Sequence, residues 1–157
     1  MLLISLRFLT LMLAALAAGT SFAHVLERPA KMRYDAALYG TLQKTLYVHW
    51  GPPNAGALVE IAAIAATLVL TWLVHDRGSS LWMTAGAATA LVIAFPIVFL
   101  ALVAPADRAF LAAPPGKMPS NWTELRARWE DGHAIRFAFH LCALGLLILS
   151  VLIELDA

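Results

Sequence analysis

Apolar residues fill four long stretches of the chain, and polar residues gather in the segments between them. The four stretches run roughly from 2 to 25, 55 to 74, 81 to 104 and 134 to 155. Each is long enough to cross a bilayer, because a membrane-spanning helix needs about 20 predominantly apolar residues. Little sequence is left for a water-soluble domain. The pattern therefore predicts one integral membrane domain, residues 1–157, folded as an all-α bundle of four transmembrane helices.

The loop after the first span has a helical pattern of its own. Apolar side chains recur there at spacings of three and four, at Met32, Ala36, Tyr39, Leu42 and Leu46. This periodicity is typical of an amphipathic helix. We expect the helix to lie on the membrane surface or to cap the bundle.

Proline, glycine and asparagine predict where the helices end. Pro29 should end the first span, and Gly51-Pro52-Pro53 should end the amphipathic helix. Asn54 can then cap the second span. The turn at 76–80 is short, so the second and third spans should be antiparallel neighbours. Pro96 lies inside the third span and predicts a kink.

A secretory signal peptide is an alternative explanation for the first span. Residues 8–18 resemble an apolar signal core, and Ser21-Phe22-Ala23 resembles a cleavage site of small residues. Cleavage would leave His24 at the N-terminus, where its amine and ring could chelate copper. Against cleavage, no basic residue precedes Arg7, so the membrane-spanning interpretation comes first.

The composition supports a membrane protein and argues against a nucleic-acid partner. Of the 157 residues, 61% are hydrophobic and 13% are charged, and the mean hydropathy is +0.77. A soluble domain is nearer half apolar and a quarter charged. The net charge is +1 and there is no basic run, which gives no indication of nucleic-acid binding. We expect membrane lipid and a hydrophobic small molecule as partners, with a protein partner or a homo-oligomer left open.

Basic residues are concentrated in two loops, and this predicts the orientation of the chain. The loops 26–54 and 105–133 hold most of the lysines and arginines, whereas the opposite side has Arg7 and Arg77. Short loops rich in Lys and Arg mark the cytoplasmic side of a membrane protein. We therefore expect both loops in the cytoplasm, both termini outside, and the chain in the inner membrane of a bacterium.

Polar residues continue along one face of the fourth span. At about 100° per residue, a stripe roughly 60° wide contains Trp129, His133, Arg136 and His140. Ionisable side chains inside a membrane are costly and usually face a partner or a cavity. The stripe therefore predicts a polar pocket near one leaflet.

Three more ionisable residues should reach the same pocket. The end of the first span and the starts of the second and fourth meet one leaflet, which brings His24, Glu27 and Glu60 to the depth of His133. We expect Arg136 to contact one of the carboxylates, because an unpaired charge at this depth costs about 2.5–3.5 kcal/mol. A structural ion pair between Glu60 and Arg136 explains these residues as well as catalysis does.

A metal site is an alternative use of the same residues. His24-x-x-Glu27 and Glu130-x-x-His133 have spacings that place both side chains on one helix face, which suits Fe, Mn, Zn or Cu. Di-metal bundle sites normally use two Glu-x-x-His motifs and two further carboxylates, and here one motif is reversed. The metal candidates are His24, Glu27, Glu60 and His133. The sequence has no Rossmann glycine pattern, P-loop, haem-attachment motif or nucleophile elbow.

Two segments resemble a known membrane family. Trp129-x-x-x-His133-x-x-Arg136, which enters the last span after Asn121 and Leu125, resembles the end of the DUF1772, or anthrone oxygenase-like, integral membrane proteins. The segment HVLERPAKMRYDAALYGTLQKTLYVHWGPP is similar to uncharacterised bacterial members of that family. The shared positions in this segment are Glu27, Pro29, Lys31, Gln43 and Tyr47. The resemblance covers nearly the whole chain.

The resemblance implies a four-span oxidoreductase or monooxygenase. Some members of the family are linked to oxygenation of polycyclic anthrones to anthraquinones. The matching positions imply site roles for His133, Arg136 and Trp129. A Pro-x-x-Asn-like pattern of the family is only loosely represented by residues 52–54, which leaves the substrate open.

Our leading hypothesis is an oxygenase-like enzyme that binds a hydrophobic substrate and requires no cofactor. His133 would be the general base, because the pKa of histidine lies near the operating pH. Arg136 would stabilise the developing enolate oxygen, and Glu60 or Glu27 would orient the histidine. The expected substrate-binding residues are Trp129, His24, Glu27, Tyr47 and Trp50.

A second hypothesis is a non-catalytic membrane subunit, or a bundle that binds lipid or a protein partner. Its charged cluster would then be structural, and its amphipathic segment would dock the partner. Transport is a weaker hypothesis, because a conducting path needs polar groups through both leaflets. The third span offers only Thr84 and Thr89.

Overall fold

The computed structural model describes residues 1–51 and 54–155, and these form helices without a strand among them. The helices are α1 (Leu2–Lys31), α2 (Ala36–Thr45), α3 (Ala55–Leu73), α4 (Ser79–Val92), α5 (Ala104–Ala112) and α6 (Trp122–Leu155). A short 3-10 turn, Tyr47–His49, follows α2, and a π-helical segment, Ile93–Val103, joins α4 to α5. The predicted all-α fold is confirmed.

Four of the described helices are long and apolar enough to cross a membrane. They are α1, α3, the continuous helix Ser79–Ala112 and α6, with mean hydropathies between 2.0 and 2.6 over their most apolar windows. Large apolar side chains cover their outer faces, including the exposed Leu58, Trp72, Trp82 and Leu100. Extended apolar surface of this kind is unfavourable in water and matches hydrocarbon. The protein is therefore an integral membrane protein.

Helix α6 lies at the centre of the bundle and packs against α1, α4 and the π-helical segment, while α3 packs against α1 and α4. The interior of this half of the bundle is rich in alanine, with buried Ala14, Ala63, Ala87, Ala90 and Ala143 beside Leu70, Leu91 and Leu147. Small residues let helices approach closely in lipid, where dispersion contacts rather than water exclusion drive packing. The close approach seals this half of the bundle.

The interruption predicted at Pro96 takes the form of the π-helical segment, and the helix then continues to Ala112. Proline cannot donate a backbone hydrogen bond, and its ring crowds the preceding turn. A π-helical turn is wider than an α-helical turn and relieves that crowding. The third span is longer than the predicted range of 81 to 104.

Other predicted helix boundaries need correction. Pro29 does not end α1, because it lies in the last turn and the helix runs on to Lys31. The helix of the fourth span begins at Trp122, ahead of the apolar stretch 134–155, and its polar first turns pack against other helices. Asn54 precedes α3, but its side chain does not cap the helix and donates instead to the Val48 carbonyl at 3.0 Å.

The predicted amphipathic helix is present as α2. Asp35 caps it by accepting a hydrogen bond from the backbone N–H of Leu38 at 2.8 Å. The buried face carries Tyr39, Gly40 and Gln43 and packs against α5. The helix therefore caps one end of the bundle. Two residues of the predicted break that follows, Pro52 and Pro53, lie outside the described residues.

A polar cluster ties the helices together at the opposite end of the bundle. The Glu154 carboxylate of α6 forms an ion pair with Arg7 of α1. It also contacts Arg77, at 3.1 Å, and accepts a hydrogen bond from the Ser80 hydroxyl at 2.6 Å. One carboxylate thus joins α1 and α6 to the turn between α3 and α4.

Candidate functional site

A cavity of about 400 Å³ lies beside the 3-10 turn Tyr47–His49, between α1, α3, the π-helical segment, α5 and α6. Its volume falls within the range of small-molecule sites. The lining includes every residue of the predicted site except Glu27, namely His24, Tyr47, Trp50, Glu60, Trp129, His133 and Arg136. The structure thus brings seven of the eight residues together at one cavity and leaves Glu27 outside its lining.

Two stacked histidines lie at the centre of this lining. The imidazole rings of His24 and His133 are 3.9 Å apart between centroids and inclined by 30°. The Nδ1 atom of His133 lies 3.1 Å from the Arg136 guanidinium, and Nδ1 of His24 lies 3.4 Å from Lys31 Nζ. Arginine and lysine are donors only, so both Nδ1 atoms act as acceptors. Each ring therefore carries its proton on Nε2, and both residues line the cavity.

Arg136 forms an ion pair with Glu60, as the sequence predicts, and both side chains are buried. The guanidinium also lies 5.3 Å from the centroid of the Phe99 ring. A buried pair of this kind contributes little net stability, but loss of one partner strands a charge. The pair fixes the guanidinium against His133 and so fixes the tautomer of that ring.

Lys31 is a buried cation at the centre of the site, and the sequence did not predict this position. It is 1% exposed and forms ion pairs with Glu130 at 3.0 Å and with Glu27 at 3.4 Å. Its ammonium also lies 4.7 Å from the centroid of the Trp129 ring. The four-residue spacing from Glu27 to Lys31 was a signal that could have indicated the contact.

Two tyrosines hold the carboxylates that surround Lys31. Tyr47 donates to Glu27 at 2.5 Å, and Tyr39 donates to Glu130 at 3.1 Å. Burial raises the pKa of both phenols well above the usual value, and the neighbouring carboxylates raise it further. Both phenols therefore remain donors. Glu27 is 40% exposed and lies at the rim behind Tyr47, rather than in the cavity as predicted.

Trp129 connects the histidine pair to a carboxylate that the sequence analysis did not single out. Its ring centroid lies 4.2 Å from that of His133, and its indole N–H donates to Asp107 at 2.6 Å. Asp107 lines the main cavity and also an adjoining cavity of about 210 Å³. Among the described residues, no cation lies within ion-pair distance of Asp107. Asp107 lies in the stretch 105–133, which the sequence predicts to be a loop.

A second layer of polar groups supports Glu60 from deeper in the bundle. The Ser21 hydroxyl and His140 Nδ1 are 2.8 Å apart. His140 Nε2 lies 3.8 Å from Glu60 Oε2, and neither of these two atoms has a hydrogen-bond partner within the described part of the chain. The histidine is fully buried. Its place is consistent with holding Glu60 in position.

The metal candidates of the sequence analysis lie in this cluster, but they do not share a metal-binding geometry. The Glu60 carboxylate turns to Arg136, and the Glu27 carboxylate turns to Tyr47 and Lys31. Within residues 1–51 and 54–155, no three His, Cys, Asp or Glu side chains group together in a way that could hold a metal ion.

The arrangement combines two imidazole N–H donors, a carboxylate without a cation and an aromatic lining in one cavity. Such a site can bind a flat molecule with a polar oxygen, polarise that oxygen and accept a proton from the molecule. No protein-family model, curated protein or solved structure matches the chain.

Proposed function

We propose that this protein is a membrane enzyme that uses molecular oxygen to oxidise a hydrophobic aromatic ketone or phenol. The observation that carries the proposal is the stacked pair His24 and His133, whose Nδ1 atoms face Lys31 and Arg136. Their Nε2–H groups form a donor pair for one substrate oxygen. The resemblance of Trp129, His133 and Arg136 to the DUF1772, or anthrone oxygenase-like, family supports a polycyclic substrate and membership of that family.

We place the cavity in the cytoplasmic leaflet of a bacterial inner membrane. The concentration of lysine and arginine in the loops 26–54 and 105–133 supports this orientation. Both termini would then lie outside. A hydrophobic substrate would be concentrated in the bilayer, because transfer of apolar surface out of water is favourable.

The proposed reaction oxidises a CH₂ group that is activated by a ketone across an aromatic ring system. A base removes one proton, and the electron pair passes onto the ketone oxygen as an enolate. The enolate carbon bonds to O₂ to give a peroxide, which takes up the proton. Loss of water from this hydroperoxide then gives the second ketone, so that the CH₂ group and O₂ become C=O and H₂O. Stabilisation of the enolate oxygen by fixed donors is the main catalytic contribution of this site.

The contact with Arg136 changes the role that the sequence suggests for His133. While the guanidinium donates to Nδ1, the ring carries its proton on Nε2, so His133 donates to the substrate and cannot accept a proton from it at that atom. A neutral imidazole donor of this kind polarises carbonyls in other enzymes. Glu60 then acts through Arg136 as a positioning residue.

Oxygen uptake by the detergent-purified protein tests the proposal, with anthrone as substrate and spontaneous oxidation subtracted. His133→Ala should lower the rate by about 10²–10³-fold, as expected for removal of one donor to an oxyanion. His133→Gln keeps a side-chain N–H donor and should retain more activity than the alanine variant. His75→Ala, at an exposed histidine at the far end of α3, should leave the rate unchanged. Equal rates in the wild type and His133→Ala would refute the proposed function.

A non-catalytic bundle is the alternative that one specific observation favours. The buried charges of Arg136 and Lys31 are paired with the carboxylates of Glu60 and Glu130 inside the chain, as a purely structural network would require. Under this alternative, the purified protein would not accelerate oxygen uptake. It would instead co-purify with a stoichiometric protein or lipid partner.

A further inference from the structure

The reaction proposed above needs a base, and the cavity offers two carboxylates for that role. Glu60 lines the cavity, but its carboxylate is held in the ion pair with Arg136. Asp107 also lines the cavity and, within the described residues, has no cation within ion-pair distance of its carboxylate. A carboxylate that is not neutralised by an adjacent cation is the better proton acceptor of the two.

Trp129 connects Asp107 to the histidine pair. Its ring lies against His133 at 4.2 Å between centroids, and its indole N–H donates to Asp107 at 2.6 Å. The two histidines and the Asp107 carboxylate line the same cavity. In a tricyclic ketone of the anthrone type, the carbonyl oxygen and the acidic CH₂ group lie on opposite edges of the central ring. One bound orientation can place the oxygen at the histidines and the CH₂ group at the carboxylate.

We propose that Asp107 is the catalytic base, an inference that rests on the proposed function. Asp107 takes the proton of the CH₂ group, the C–H electron pair passes through the ring system to the ketone oxygen, and the Nε2–H groups hold the resulting enolate. The proton stays on the Asp107 carboxyl until the peroxide formed with O₂ takes it up. Trp129 is a positioning residue, because its hydrogen bond fixes one oxygen of the carboxylate and leaves the other for the substrate.

The smaller cavity gives the Asp107 carboxyl a connection to the protein surface. It shares Asp107, Tyr47 and Phe99 with the main cavity and extends to Gln43 and the exposed Arg108. Water that enters along this path can exchange the proton of the protonated carboxyl. The isotope of a substrate proton should therefore equilibrate with solvent through Asp107.

Hydrogen exchange without oxygen isolates this step from the oxidation. Anthrone deuterated at its CH₂ group is incubated with the detergent-purified protein under anaerobic conditions, and the loss of deuterium to solvent is followed by NMR above the protein-free rate. We expect Asp107→Asn to lower the exchange rate by about 10²–10⁴-fold, the usual effect of a general base. The asparagine amide oxygen can still accept the hydrogen bond from Trp129, so the fold should survive.

A second pair of variants keeps the test valid if Asp107→Asn fails to fold. Asp107→Glu and Asp107→Gln have the same length and differ in basicity, so only the glutamate variant should retain measurable exchange. Asp131→Asn removes an exposed carboxylate that pairs with Arg28 outside the cavity, and it should exchange at the wild-type rate.

The possible outcomes distinguish the role of Asp107 as the base from the proposed oxidation of the substrate. Exchange at the wild-type rate in Asp107→Asn, or equal exchange in the glutamate and glutamine variants, would overturn the role of Asp107. Oxygen uptake with anthrone but no catalysed exchange by the wild type would overturn that role and leave the oxidation in place. A wild-type protein that catalyses neither process would overturn both.

Discussion

Breaking the ion pair between Arg136 and Glu60 from one side should cost more stability than removing it from both. Arg136 is 4% exposed and Glu60 is 5% exposed, so both charges are largely shielded from bulk solvent. Arg136→Met fills much of the side-chain volume but leaves the carboxylate without its cation. Removal of one partner of a buried pair costs about 3–5 kcal/mol in the free energy of unfolding.

The structure leaves the stranded carboxylate few ways to recover. Glu60 Oε2 already has no hydrogen-bond partner within the described residues. His140 Nε2, at 3.8 Å, is the nearest group that could move toward it. Adding Glu60→Gln removes the stranded charge, and well-packed neutral replacements of buried pairs are often neutral in stability. The double variant Arg136→Met with Glu60→Gln should therefore be more stable than Arg136→Met alone.

Unfolding of the detergent-solubilised protein by denaturant, followed by tryptophan fluorescence, gives the required free energies for the wild type, both single variants and the double variant. The cost of losing the hydrogen bond to His133 is common to the two variants that lack Arg136, so it cancels in their comparison. A coupling energy above about 0.5 kcal/mol is expected for groups in direct contact. Strictly additive costs would refute the view that the pair is energetically coupled.

Two further changes test the packing of α6, and a third tests an ion pair at the opposite end of the bundle. Gly132→Ala should destabilise the protein by about 1–3 kcal/mol, because its Cβ would come within 2.8 Å of a Val103 methyl group. Gly145→Ala, on the same helix with nothing within 4 Å, should instead stabilise it by up to about 1 kcal/mol, the difference in helix propensity. Glu154→Gln should lower the melting temperature through its ion pair with Arg7, and a melt no lower than that of the wild type would refute this role.

The hydrophobic pattern was sufficient to predict the four spanning helices, because hydrocarbon thickness sets their minimum length. It was not sufficient to predict their ends. Residues 122–133 and 105–112 are too polar to be read as part of a span, yet both continue the helices of the adjacent spans. Some of their polar side chains contact other helices, as Trp129 does with Asp107 and Glu130 with Lys31. Such tertiary contacts leave no mark in a hydropathy profile.

Because tertiary contacts cannot be seen in the sequence pattern, only some of the site residues were predicted. The helical spacing of His133 and Arg136, together with the order of the spans, placed both at the depth of Glu60, and the contact between Arg136 and Glu60 is present. Lys31 and Asp107 lie in segments whose charges indicated topology rather than a site. For Asp107 there is a further reason. The π-helical segment contains more residues per turn than an α-helix, so the face presented after Pro96 cannot be extrapolated from the α-helical period.

The charged side chains around the cavity can lie at membrane depth because most of them are paired, and Asp107 differs from the others in this respect. Arg136 is neutralised by Glu60, and Lys31 is neutralised by Glu130 with further contact to a rim carboxylate. Paired charges avoid most of the penalty that an isolated charge incurs in a membrane. Asp107 stands apart, since its contact is the neutral indole N–H of the cavity wall. The other charged groups of the cavity are held in ion pairs. The Asp107 carboxylate can take up and release a proton without breaking an ion pair, as a catalytic base must do in every turnover.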